Sequence, residues 1–520
     1  LQRYLPITSL LNCCINKVYW NVPSKVCYTR KTDIPLEQFG ITHNKGHEFL
    51  GDQIVIFYEY NFGYFPYFAD YNPDTPVNGG LPQNCPLDKH LARVSQQIRE
   101  AIPREDFSGI AVIDFEEWRP LYQMNWGQKA VYKRESVRRV RQQYPFISNK
   151  SAEEMAKKEF NMAAKKIFIL TIGLARHLRP YARWGFYGFP YCNYDAGTSE
   201  SDMLCSEKFR RFNDEISFIF KASTALFPSI YLSLKGTSAQ NYRYIQAILV
   251  ESTRIAAMQN PPIDVYPYTK FEYNPYQYLD SFYAKKDVCN SLKQAADLGA
   301  RGVVLWSSSK NMKQRCDGLA EYVRNMLGPT VALIRKRTQR CREKRCSGHG
   351  QCVLPSPASR CTFRMQPESY ICRCDALYTG KDCLVRRYIQ SKPGKNGNEV
   401  TTGLRNKQRK WNRGWLGRRR RIRIMKVIGD AGSEGSKSSN AGAVRVGMVT
   451  TGPVQVAGAK EAQTDQEYTA RPPYAQQNIF QRAGWETDDD GNVFVGNDNC
   501  KLFLISVGSY WPFPKDYRKK

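Results

Sequence analysis

No apolar run in this 520-residue chain reaches the ~18 residues a helix needs to cross a bilayer, so no segment reads as a membrane span. Histidine is scarce: the five residues His43, His47, His90, His177 and His349 stand at no metal-ligand spacing from the cysteines, and no metal site is expected. A Gly-rich turn behind a first strand is missing too, because "GGLPQN" (Gly79–Asn84) lacks the pattern that cradles a dinucleotide. No cofactor is therefore expected. The chain begins at Leu1 without an initiator Met, a basic n-region or a clean apolar h-region, which reads as a mature or trimmed sequence whose targeting segment is not shown. The closing "DYRKK" does not read as a lipid-anchor signal.

Acidic residues are also few, 48 Asp and Glu against 77 Lys and Arg, for a formal net charge of +29. That excess suits a nucleic acid, a membrane surface or an anionic polysaccharide. It is unevenly spread: Arg386 to Lys426 carries 15 Lys and Arg against one acid, Glu399. Such a run reads first as a solvated, disordered linker. Within it "GRRRRIRI" (Gly417–Ile424) is either part of that linker or a processing site for a basic-residue-specific protease. The later "GNVFVGNDNCKLFLISVG" (Gly491–Gly508) has the pattern of a hairpin.

What is abundant is cysteine. Sixteen residues argue for an oxidising compartment, because cytosolic proteins keep few thiols and use them for metals or redox chemistry. The sequon Asn149-Lys150-Ser151 is compatible with glycosylation on a secreted protein. Between residues 341 and 383 the spacing C-x4-C-x5-C-x19-C-x-C-x8-C (Cys341, Cys346, Cys352, Cys372, Cys374, Cys383), ending in "CRCDALYTGKDC", has the form of an epidermal-growth-factor-like (EGF-like) module. Such a module is a disulfide-held spacer or interaction surface.

Upstream, short apolar runs alternate with helical patterns. Strand-like runs are Ile54–Tyr60, Gly109–Glu116, Trp184–Phe189, Ile230–Leu234, Ile263–Tyr268 and Gly302–Ser307. In "SAEEMAKKEFNMAAKKIFILTIGLARHL", Ala156, Phe160, Ala163 and Ile167 keep helical spacing behind a Ser/Glu cap signal. Repeated β-then-α units predict an α/β fold with a parallel sheet, closed into a distorted TIM-like barrel over residues 1–335. The cysteine-rich module would occupy 336–385, and a basic tail, expected to be disordered, 386–520.

One of those runs ends unusually. In "SGIAVIDFEEWRPLYQMNWG" (Ser108–Gly127) the apolar stretch Ile110–Ile113 leads into Asp114, Glu116 and Glu117. Side chains alternate along a strand, so Asp114 and Glu116 share a face while Phe115 and Glu117 take the other. If Ile113 packs outward against the helices, Asp114 and Glu116 point into the barrel mouth, where such barrels do their chemistry. Two acids roughly 6–7 Å apart along a strand repel, which keeps one protonated as a general acid must be. The bland alternative has these acids capping a helix near Ser136 or pairing with Arg119 and nearby lysines. Other strand ends carry Tyr58, Tyr187, Tyr231, Tyr268 and Trp306, while Phe186 and Phe189 read as core. Aromatic rings around two acids suit the stacking of apolar sugar faces and glycoside hydrolysis.

The segments "VIDFEEWRPLYQMNWG", "GGLPQN", "WGFYGFPYCNYD", "PSIY" and "LGARGVVLW", in this order, resemble the animal hyaluronidase family, and the likeness runs from about Val22 to Cys383. The resemblance implies a hydrolase cutting the β-1,4 N-acetylglucosaminide bonds of hyaluronan by a retaining, substrate-assisted route. Glu116 would be the proton donor and Asp114 its partner on the substrate acetamido group. Tyr187 and Tyr231 would hold that group, Trp306 would line its pocket, and Arg119 and Tyr58 would be cleft residues of less defined role. The same likeness implies the pairs Cys27–Cys316, Cys192–Cys205, Cys341–Cys352, Cys346–Cys372 and Cys374–Cys383. Closing the first, longest loop would contribute roughly 4–5 kcal/mol by the chain-entropy argument. Cys13, Cys14, Cys85, Cys289, Cys361 and Cys500 stay unassigned.

There are departures from the family pattern. Phe115 replaces a frequent tryptophan, Ser307 stands where Gly is common, and Lys310 where some relatives have an acid. Three alternatives stay open: a catalytically silent hyaluronan-binding protein, an enzyme of the same fold preferring chondroitin, and a heparin- or nucleic-acid-binding protein resting on the basic tail. Retention of Asp114, Glu116, Tyr187 and Tyr231 argues against the first, and Tyr231 argues against a strict chondroitin preference. The expected partner is hyaluronan, with chondroitin second and no nucleic acid, and the protein is expected to be a monomer. Soluble secretion is preferred over a sperm-surface or lysosomal setting, and a venom role stays open.

Overall fold

The computed structural model describes residues 16–387 and two short strands near the C-terminus, Glu486–Thr487 and Val493–Phe494. Among the described residues, nine short strands build the barrel, apart from a small antiparallel pair, Tyr67–Phe68 with Pro76–Val77: β1 Lys17–Asn21, β2 Ile41–His43, β3 Ile54–Tyr58, β4 Ile110–Asp114, β5 Arg183–Phe186, β6 Ala225–Leu226, β7 Asp264–Val265, β8 Tyr268–Thr269 and β9 Gly302–Trp306. All their pairings are parallel, in the runs β2-β1-β9-β8, β3-β4-β5 and β6-β7. Single parallel bridges, Tyr187 to Phe227 and Ser229 to Tyr268, join these runs.

Between β2 and β3 a side chain takes the place of a ladder. Asn44 donates to the carbonyls of Ile54 (3.0 Å) and Glu48 (2.9 Å) and accepts the N–H groups of Gln53 and Ile54. Asn44 is fully buried, so the amide satisfies backbone groups that would otherwise face each other unpaired.

β4 is buried at every position, as a strand covered on both faces must be. Its two faces enter different cores. Ile110 and Val112 join Ile54, Ile56, Phe227, Tyr268 and Val304 inside the barrel. Ala111, Ile113 and Phe115 pack outward with residues of the long helix Asn149–Leu178. That helix buries Ala156, Phe160 and Ile167 as the periodicity predicts, but Ala164 in place of the half-buried Ala163, and its cap is Ser148.

Strand positions differ from the sequence reading at one run. Ile230–Leu234 is not a strand; the β segment lies just upstream at β6, and Tyr231 follows it in a loop. Two strands the reading passed over, β1 and β2, complete the sheet. Near the C-terminus Val493–Phe494, inside the expected hairpin segment, pairs antiparallel with Glu486–Thr487, which lies upstream of it. Cys13, Cys14, Cys500, the basic run and its processing motif lie outside the described residues.

Among the described residues six disulfides are present: Cys27–Cys316, Cys192–Cys205, Cys341–Cys352, Cys346–Cys372, Cys374–Cys383 and a further pair, Cys289–Cys361. Among the described residues Cys85 stays a thiol, its pKa pushed up to about 12 by burial. The cysteine-rich module is built on the antiparallel pair Gly350–Val353 and Ile371–Cys374. One helix, Gly328–Arg345, runs across the 335/336 boundary expected from sequence, so barrel and module share an element.

The module is also fastened to the barrel by polar contacts. Gln351 donates to the Ala300 carbonyl at 2.8 Å, and Tyr242 to the Ala358 carbonyl at 2.6 Å. Lys293, fully buried, pairs with Asp297, and Tyr370 of the module donates to Asp297 at 2.8 Å. Burial raises the Asp297 pKa against the opposing pull of Lys293.

Candidate active site

The inward-facing file of each strand ends at the C-terminal mouth in a polar or aromatic residue. On β3 and β4 the register pairs Tyr58 with Asp114, and on β1 and β9 it pairs Asn21 with Trp306. Because Ile113 packs outward, Asp114 falls on the inner face; Glu116 lies two residues past the strand end, and its charge, like that of Asp114, acts on Tyr187. Asp114 is 8 % exposed, whereas Glu116 is half-buried. One acid therefore lies deep and the other stands further into the cleft.

What holds Glu116 comes from the neighbouring strand end. Glu59, directly after β3, accepts the backbone N–H groups of Glu116 and Glu117 on one carboxylate oxygen, the second at 2.8 Å. Its own N–H donates to the Asp114 carbonyl at 3.0 Å. The turn carrying the acid is thus clamped by a buried anion, and hydrogen bonds to a charged acceptor are among the stronger ones.

Glu117 faces away. It accepts from the Tyr60 hydroxyl and, at 3.5 Å, from that of Tyr132, and is 3 % exposed. Phe115 is sealed among Phe62, Phe65, Phe168 and Phe186, with the Phe65 ring 4.2 Å away. Trp118 stacks on Phe65 and donates to the Pro66 carbonyl at 2.8 Å. These apolar anchors on the outer side fix the direction of the acids on the inner side.

The helix-capping alternative does not hold. The helix containing Ser136 begins at Ala130 and receives no side-chain cap. Arg119 gives its guanidinium to the Met124 carbonyl (2.7 Å) and the Tyr194 hydroxyl (2.6 Å), and lies 4.3 Å over the Trp126 ring.

The aromatic residues gather around the acids. Tyr231 stacks on Trp306 at 5.8 Å, and the Tyr187 ring lies 6.0 Å from Tyr231. Trp306 Nε1 donates to the Tyr58 hydroxyl at 3.1 Å, which ties two opposite strand ends together. The Tyr187 hydroxyl donates to Ser229 at 3.1 Å. Burial first, then the charge of Glu116, holds the Tyr187 pKa well above the ordinary range, so this phenol keeps its proton. Tyr268 lies deepest of the expected set, where the charge of Asp114 reaches it. It is wholly buried, packs edge-on to Tyr187 at 5.3 Å and donates to Asn21 at 3.3 Å. Asn149 is exposed at the start of its helix, away from the barrel strands.

Several site residues escaped the sequence reading. Glu59 and Asn21 act through contacts between separate strands; an acid directly after a strand-end tyrosine was the only local hint for Glu59. Lys270, one residue beyond β8, returns to the inner face with its Nζ 5.1 Å from the Tyr231 ring. Behind Trp306, Ser307 donates to Glu272 at 2.6 Å, and Glu272 pairs with the fully buried Arg315. Arg315 also donates to the carbonyls of Ser308 (2.8 Å) and Lys310 (3.1 Å), fixing the loop that follows Trp306. No group of three or more His, Cys, Asp and Glu among the described residues is placed to hold a metal ion, and no helix among them is long and apolar enough to cross a membrane.

A parallel α/β barrel whose mouth joins two carboxylates to stacked aromatic rings is the arrangement of a glycoside hydrolase. Comparison with known proteins agrees. The pattern of the hyaluronidase family matches residues 9–393, and the chain belongs to that family. Chondroitin hydrolase of Caenorhabditis elegans is 42 % identical over 71 % of this chain and 80 % of its own length. Hyaluronidase-1 of Homo sapiens is 37 % identical over 68 % of this chain and 81 % of its own. The crystal structure of bee venom hyaluronidase in complex with a hyaluronic acid tetramer is similar at a TM-score of 0.56 and 32 % identity, covering 62 % of this chain and 99 % of that one.

Proposed function

We propose that this enzyme hydrolyses the β-1,4 N-acetylglucosaminide bonds of hyaluronan with retention, using the substrate's own acetamido group as nucleophile. The observation that carries the reading is the placement of Asp114 at the end of β4 and Glu116 two residues beyond it, both acting on Tyr187, at a mouth lined by Tyr58, Tyr187, Tyr231 and Trp306. A retaining enzyme with a carboxylate nucleophile needs its two acids on opposite sides of the bond. Adjacent acids on one side call for a nucleophile from elsewhere, and the acetamido carbonyl oxygen supplies it. In the first step that oxygen attacks the anomeric carbon while Glu116 gives its proton to the leaving oxygen. In the second, Glu116 takes a proton from water, which adds to the anomeric carbon and opens the oxazolinium ring. Asp114, deeper in the cleft, holds the acetamido N–H, and the protonated phenols of Tyr187 and Tyr231 enclose the group.

The likeness to a hyaluronidase bound to a hyaluronic acid tetramer supports hyaluronan as substrate. The likeness to a chondroitin hydrolase supports a second reading, chondroitin as a competing or preferred polymer. Six disulfides support secretion into an oxidising space and work on extracellular matrix, with the EGF-like spacing of the module serving as a brace. The experiment is reducing-end release from hyaluronan and chondroitin by the wild type and its Glu116→Gln variant. Cleavage lost by orders of magnitude in the variant supports the acid assignment. Equal rates remove Glu116 as the acid, and binding without cleavage by either protein selects the silent reading.

A further inference from the structure

Lys270 is a cation in an unusual place. The strand alternates Tyr268 inward, Thr269 outward and Lys270 inward, which lifts the lysine to the mouth level of the barrel. Its Nζ lies 5.1 Å from the centroid of Tyr231 and 6.0 Å from that of Tyr276. Tyr231 is the ring stacked on Trp306, so the ammonium stands beside the sugar platform.

The carboxylate whose charge acts on Lys270 is already engaged. Glu272 lies in the bidentate grip of Arg315 and accepts from Ser307, and no carboxylate among the described residues forms an ion pair with Lys270. Burial brings the Lys270 pKa down to about 8, Glu272 opposing. A partly desolvated ammonium without a carboxylate recovers its lost solvation when an anion arrives. Hyaluronan and chondroitin alternate an N-acetylhexosamine with a uronic acid. A hexosamine seated on Tyr231 and Trp306 therefore brings a carboxylate to the adjoining position.

We propose that Lys270 is a specificity-determining residue, binding the uronate carboxylate next to the sugar on the Tyr231–Trp306 platform and selecting uronate-containing polymers over neutral N-acetylglucosamine chains. This rests on the assignment of hyaluronan cleavage to the cleft. An alternative role, packing against Tyr231 alone, is separated from it by the substrate's charge.

The test compares wild type, Lys270→Met and Lys270→Arg on hyaluronan and on hyaluronan whose uronate carboxyls are methyl-esterified. On hyaluronan, Lys270→Met raises KM about tenfold with kcat within about twofold, and Lys270→Arg stays near wild type. On the esterified polymer, wild type and Lys270→Met share one KM. An unchanged KM for Lys270→Met on hyaluronan, or an equal rise on both polymers, overturns the assignment while wild-type cleavage leaves the activity reading intact. Absence of wild-type cleavage overturns both.

Discussion

Replacing Glu59 by alanine tests how the catalytic turn is held. The change removes one oxygen that accepts two backbone N–H groups, those of Glu116 and Glu117. Glu59 is 5 % exposed, so water replaces that acceptor poorly. An unsatisfied buried N–H costs ~1–3 kcal/mol, so two cost roughly 2–6 kcal/mol, less whatever water enters. Part of this appears as lost stability and part as motion of the Glu116 turn. A misplacement of about 1 Å at a reacting group costs ~100-fold in rate. The expected result for Glu59→Ala is a kcat on hyaluronan down by ~100-fold with KM changed less than about threefold, because the aromatic platform is untouched. Glu59→Gln keeps an oxygen acceptor and should lose only about tenfold. Urea unfolding of both variants separates a folded but slow enzyme from an unfolded one. A folded Glu59→Ala protein with wild-type kcat would refute the argument, since the turn would then be held without its clamp.

Two further outcomes follow from buried charges. Lys293→Met leaves Asp297 buried without its cation and should cost about 3–5 kcal/mol in urea unfolding. The Asp297 pKa is already raised in the folded state, so its stabilising contribution is present at low pH and lost as pH rises; in the variant the deficit should widen from pH 4 upward, and a constant deficit would refute the pairing. At the cleft, Lys270 with a pKa of about 8 faces Glu272, Tyr231 and Tyr276. Raising pH through that value neutralises the ammonium, so KM for hyaluronan should climb above pH 8 in the wild type and stay level in Lys270→Arg, and parallel profiles would remove Lys270 from the substrate site.

How much of the site could be read in advance depended on the range of each contact. The alternation of "AVIDFEE" places Asp114 and Glu116 on one face if the stretch is extended, and Phe115 with Glu117 on the other. Glu117 was separable for that reason, and its bonds to Tyr60 and Tyr132 agree. The depth of Tyr268 was not legible, because a strand-end aromatic looks the same in sequence whether it is half-exposed or fully buried. β2 carries only three residues and shows no periodicity, while β1, "KVYWN", begins and ends in polar residues and lacks the apolar run of β3, β4 and β9. Glu59 sits 57 positions from Glu116 and Asn44 closes the sheet seam through its side chain, and neither contact leaves a periodic trace.

The sequence by itself determined the α/β alternation, the shared face of the two acids, the aromatic character of the strand ends and the spacing of the cysteine-rich module, because each is a property of neighbours along the chain. Only the tertiary structure decided that the Asp114 face points inward, that Glu59 clamps the acid's turn, that Cys289 joins Cys361, and that Lys270 stands beside Tyr231. Those facts depend on which strands become neighbours when the sheet closes, and that is a matter of packing between distant segments.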